Sequence, residues 1–141
     1  MRCPIGVRTA ANALLVLLGA LAAFHVLMLS GALPTDVAWG GRAAGDAGDI
    51  MLLEWVALFV TVLFAVIVVV RVGYIVALPL RRTAVVAMWL VCVYFALNIV
   101  GNMLSLSGVE RAIFTPVSAL AAVLSLRVAL SRAGEGRTRS E

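Results

Sequence analysis

The sequence predicts an all-α protein, a polytopic four-transmembrane-helix bundle with both termini on the inner side. Three observations carry that expectation. Of the 141 residues, 64% are hydrophobic and the mean hydropathy is +1.13, against roughly 45–50% apolar in soluble domains. A chain this short has too little interior to hide that much apolar surface, so lipid must solvate much of it. Two windows, 9–35 and 83–109, carry no charge, and each exceeds the about 20 residues a helix needs to cross the hydrocarbon core. Finally, the arginines crowd into alternate connecting segments, as the positive-inside bias requires.

Span one is placed at about 9–33, directly after Arg8. A secretory signal peptide is the rival reading, with Arg2 and Arg8 ahead of the apolar run and small Ser30 and Ala32 behind it. An h-region of about 7–15 residues is shorter than this run. The outer loop, 34–49, holds Asp36, Asp46 and Asp49 and the tetrapeptide Trp39-Gly40-Gly41-Arg42; the paired glycines suit a turn with positive φ. Span two needs about 50–74, because the stretch between Glu54 and Arg71 alone is too short to cross. That choice puts Glu54 in its first turns, Arg71 snorkelling at the far end and Tyr74 as an interfacial aromatic. Val66 to Val70 are all β-branched, which suits a lipid-facing helix and does not require a strand.

Pro79 marks a break, and Arg81-Arg82 close a short basic loop. Span three follows at about 83–106. Span four is placed at 112–130, with Thr115 as N-cap and Pro116 at the first helical position, where its missing donor costs nothing. Residues 1–130 form a single membrane domain, and the polar, Gly/Arg-rich segment 131–141 reads as a disordered cytoplasmic tail. With the N-terminus inside, Arg2, Arg8, Arg71, Arg81, Arg82, Arg127, Arg132, Arg137 and Arg139 are inner, and only Arg42 and Arg111 are outer. That bias sets the orientation, with both termini cytoplasmic.

The net charge of +4 comes from arginines spread between apolar runs rather than gathered in a patch, so no nucleic-acid partner is expected. Cys3 precedes span one and Cys92 lies in the middle of span three, too far apart to bridge, and no C-x-x-C is present. No metal signature, phosphate loop or nucleophile elbow occurs, so no cofactor, metal or catalytic residue is assigned.

Depth organises the polar residues. At 1.5 Å per residue, His25 lies roughly 25 Å beyond Arg8, in a core about 30 Å thick. Asn98 and Asn102 fall in the outer third of span three, while Glu54 and Thr115 open spans two and four from outside. On span three, Tyr94, Asn98, Gly101, Asn102 and Ser105 share one arc; on span two, Glu54, Thr61 and Ala65 share a stripe. Span four has a small-residue face of Thr115, Ser118, Ala119, Ala122, Ser125 and Ala129, and span one a Gly19/Ala23 pair suited to close helix contact. His25 is on a different face, toward Leu18 and Leu21.

A His, a carboxylate, two amides and a Trp/Arg loop at one level predict an outward-facing pocket. The candidate ligand-binding residues are His25, Asp36, Trp39, Arg42, Glu54, Tyr94, Asn98 and Asn102. Each has a plainer role: Asn98 and Asn102 as interhelical hydrogen-bond glue, Glu54 paired with Arg42 or Arg111, His25 as an interfacial hydrogen-bonding residue, Trp39 in the aromatic belt.

The ordered set Trp39-Gly40-Gly41-Arg42, an acid opening span two, Asn98-x-x-Gly101-Asn102, Glu110, Phe114-Thr115-Pro116 and Arg127 resembles a group of small bacterial four-helix integral membrane proteins, themselves uncharacterised, with a Trp-Gly-Gly-Arg/Lys outer loop. The resemblance covers Leu33 to Arg127. It implies four spans and a bacterial plasma membrane and lends no activity. Relatives in that group often have Thr after the first Asn and Lys after the Glu, where this chain has Ile99 and Arg111.

The leading functional expectation is a membrane module whose outer pocket binds a lipid headgroup, a small polar ligand or a partner protein. Membrane lipids are its expected surroundings, with a homo-oligomer or a partner membrane protein as further associations. An oligomeric small transporter or channel is the alternative, opposed by the lack of a charged residue at the bilayer centre. An intramembrane enzyme using His25 and Glu54 as acid and base is the third, and it requires those side chains within hydrogen-bond reach.

Overall fold

The computed structural model describes residues 5–33, 47–75 and 78–131. Four helices make up the bundle: α1 (Val7–Leu29), α2 (Ala47–Val72), α3 (Arg81–Met103) and α4 (Thr115–Ala129). All four are long and apolar enough to cross a membrane once the turn Glu110–Phe114, continuous with α4, is counted with it. The fold is the predicted all-α four-helix bundle.

Polar ties fix the direction of the helices. His25 near the end of α1 bonds Glu54 near the start of α2, and Tyr74 just past α2 donates to Asn12 near the start of α1 at 2.6 Å. Asn102, at the end of α3, donates to Ser118 at the start of α4. Neighbouring helices are therefore antiparallel. Each packs on its neighbours in sequence, and α4 closes the ring against α1. One end of the bundle, called the loop end below, gathers the finish of α1 and α3 and the start of α2 and α4. The opposite, terminal end is tied by the guanidinium of Arg71, which donates to the carbonyls of Ala129 and Ser131, orphan acceptors at a helix C-terminus. Arg127 donates to Ile5 O at 2.9 Å in the same region.

The core follows from side-chain period. Ala10, Ala11, Leu14 and Leu18 of α1 are buried, as are Val68 of α2, Met88, Val91 and Phe95 of α3, and Ala121, Leu124 and Val128 of α4. Small residues let the backbones approach where no hydrophobic drive acts between helices in lipid. Opposite faces are apolar and exposed: on α2 Trp55, Phe59, Val62 and Val66 form an unbroken outward stripe, the mark of a helix bathed in lipid.

Two expectations are corrected here. Gly19 and Ala23 face outward, and a Cβ built on Gly19 would touch nothing; α1 packs instead through the Leu14–Leu18 stripe, because those larger side chains fill the space between helices. Thr115 is not an N-cap, for its N–H already bonds the Glu110 carbonyl within a continuing helix. Helical backbone begins at Gly108, behind a Ser-x-x-Glu sequence, Ser107 to Glu110, in which Ser107 Oγ lies 3.5 Å from the Glu110 N–H in the manner of a capping box. Ends of α1 and α2 are closed by Gly31 (φ 74°) and Gly73 (φ 83°), where only glycine takes the left-handed conformation without strain.

Candidate functional site

At the loop end the four helices leave a cleft of about 190 Å³. The same stripe that buries Leu14 and Leu18 carries Leu21 and His25 at helical spacing, so the α1 core face delivers the imidazole into the bundle. Glu54 arrives by the equivalent stripe of α2, above Thr61 and Val68, and is 2% exposed. Nδ1 of His25 and Oε2 of Glu54 are 2.7 Å apart, a short charge-assisted contact. An ionised carboxylate accepts only, and opposite it Nδ1 is the donor. Nε2 has no hydrogen-bond partner among the described residues.

Aromatic rings wall the cleft. Phe24 stands edge-on to His25 and to Phe114, with ring centroids 5.7 and 5.0 Å apart, and Phe64 meets Tyr94 at 4.9 Å. These are the offset and perpendicular contacts that aromatic quadrupoles favour. Asn98, Asn102 and Ser118 complete the polar lining. Asn98 Nδ2 donates to the Tyr94 carbonyl of its own helix at 2.9 Å, whereas Asn102 Nδ2 crosses to Ser118 Oγ at 3.0 Å.

Glu110 and Phe114 also line the cleft, and the reason is local. Thr115 bonds back five residues to Glu110 because Pro116 has no N–H and its ring crowds the carbonyl four residues earlier; widening one turn relieves that clash. The expectation of a helix starting at Thr115 left Glu110 outside the span. The spacing of Glu110, Phe114, Val117, Ser118 and Ala121 carried the missing signal, since it places all five on one face of a helix that runs through the proline.

Of the eight sequence-predicted residues, His25, Glu54, Tyr94, Asn98 and Asn102 line this one cleft. Tyr94 is mostly an outer wall, 41% exposed. Asp36, Trp39 and Arg42 lie outside the described residues. Of the two arginines expected opposite Glu54, Arg111 is exposed and does not pair with it and Arg42 lies outside the described residues; the α1 core face brings His25 to the carboxylate. Two groups able to ligate a metal meet here, and among the described residues no third joins them.

Asn102 joins α3 to α4 through its bond to the Ser118 hydroxyl, alongside the weaker contact of the Cys92 thiol to the Ala122 carbonyl. Asn102→Ala is expected to lower stability by about 1 kcal/mol, read as a shift in the unfolding midpoint in mixed detergent. Adding Ser118→Ala should then cost little more, since the bond is already lost; full additivity would show that the amide and hydroxyl do not interact.

Compared with known protein families, with curated proteins and with solved structures, the chain matches none.

Proposed function

We propose that this is a multi-pass protein of a bacterial plasma membrane, both termini cytoplasmic, whose extracytoplasmic cleft binds the headgroup of a membrane amphiphile or a comparably small polar ligand. The arginine bias between connecting segments supports the orientation, and the Trp-Gly-Gly-Arg, Asn-x-x-Gly-Asn and Phe-Thr-Pro series supports the bacterial setting. The observation that carries the binding role is the His25–Glu54 pair, held at 2.7 Å inside a cleft to which all four helices contribute. Ionisable groups are costly within a span and mark function where they occur. Native mass spectrometry of protein purified from bacterial membranes is expected to show a retained small molecule, released about tenfold more readily from Glu54→Gln. Wild-type protein that carries no adduct under conditions preserving the fold would contradict the reading.

One observation favours a second reading, an intramembrane enzyme. A carboxylate that orients an imidazole and leaves its other nitrogen open is the arrangement of a general base with its positioning group. Incubating the retained molecule with wild type and with His25→Gln distinguishes the two: conversion by wild type alone supports catalysis, and equal recovery unchanged from both leaves binding.

A further inference from the structure

We infer that the cleft recognises a neutral hydroxyl group, whose hydrogen donates to Nε2 of His25, with Glu54 as the positioning residue that keeps the proton on Nδ1. This rests on the binding role proposed above and specifies its ligand class.

Elimination gives the chemistry. The described lining includes Glu54 and Glu110 and neither lysine nor arginine, so within that lining a phosphate or carboxylate headgroup meets two acids and no fixed cation. Neither acid is free, so an organic cation would have to displace an existing partner at the desolvation penalty of a buried charge. What remains open among the described residues is neutral: Nε2 of His25, the Tyr94 hydroxyl, and the Oδ1 atoms of Asn98 and Asn102, whose amide nitrogens each use one bond. Amides and hydroxyls both donate and accept, the complement of a polyol. The volume, about 190 Å³, is below the 300–1,000 Å³ typical of drug-sized sites and fits a glycerol-like or single-ring headgroup. The rings of Phe24 and Phe114 beside His25 face its C–H surface.

The chain contains a single histidine, so ¹⁵N-histidine labelling of tag-free protein in phosphatidylcholine nanodiscs at pH 8 reports one imidazole. The expected resting spectrum is neutral, Nδ1 protonated and Nε2 bare, the reverse of the tautomer favoured by free histidine. Titration with lauroylglycerol should move the Nε2 signal in the direction of an accepted hydrogen bond. Its apparent affinity should exceed that of dodecyl phosphate or dodecylamine at least about tenfold. Free glycerol distinguishes the sources of the hydroxyl: binding only of the acylated form assigns a lipid headgroup, and equal binding a soluble polyol. Glu54→Gln and, separately, Asn98→Ala should each weaken lauroylglycerol about three- to tenfold, the second variant guarding against misfolding of the first. A resting imidazolium or an Nε2-protonated ring overturns the hydroxyl inference and leaves the cleft a binding site, as does preference for the phosphate or the amine. An imidazole blind to every probe overturns both.

Discussion

Replacing Glu54 with alanine is expected to lower the stability of the bundle by about 3 kcal/mol, the upper end of the range for leaving a buried hydrogen-bonding group without its partner. The carboxylate is 2% exposed and meets a histidine side chain that is only 15% exposed. Its loss leaves a void and strands the Nδ1 donor in an apolar wall formed by Phe24 and Phe114. Glu54→Gln keeps the volume and an acceptor oxygen, so about 1 kcal/mol is expected there. Steric-trap unfolding in bicelles measures both. An alanine variant within about 0.5 kcal/mol of wild type would show that the pair is a surface contact wetted by headgroups, as exposed ion pairs are.

The second large effect concerns the core. Met88 is fully buried between helices, while Leu90, two residues on and on the opposite face of α3, is 64% exposed. In water a buried Met→Ala change costs about 2–5 kcal/mol, part of it transfer free energy and part cavity. Lipid is as apolar as the core, so the transfer part disappears and only lost contacts remain. Met88→Ala is therefore expected near the lower bound, about 2 kcal/mol, and Leu90→Ala below about 0.5 kcal/mol because lipid fills the space. Equal effects at the two positions would mean that α3 is rotated from its described facing.

How much of this was legible follows from which physical signal each feature leaves in a sequence. Length and hydropathy define spans directly, so the four helices begin and end within a few residues of expectation: 9–33 against Val7–Leu29, 83–106 against Arg81–Met103. Depth is nearly as direct, because rise per residue is fixed; that is why His25, Glu54, Asn98 and Asn102 fall at one level and one cleft. Facing is harder. On α2 the stripe of Glu54, Thr61 and Ala65 points inward as expected. On α1 a small-residue pair competed with a leucine stripe, and nothing in composition says which one a neighbour will cover. Tertiary packing chose the leucines and carried His25 inward with them.

The start of α4 shows a different limit. A Thr-Pro pair and a Ser-x-x-Glu series both signal a helix beginning, and they stand eight residues apart, at Ser107 and Thr115. Choosing the proline hid Glu110 and Phe114 from the site. The widened turn that reconciles proline with a continuous helix has no sequence signature of its own, yet it sets which side chains reach the cleft.

The central claim is that His25 and Glu54 act as one unit across α1 and α2. A double-mutant cycle tests it most directly, with His25→Ala, Glu54→Ala and the pair compared by unfolding free energy in the same bicelles. Coupling of about 2 kcal/mol is the predicted result, within the range for residues in direct contact. Effects that add to within about 0.5 kcal/mol, as they do for distant and independent sites, would contradict it.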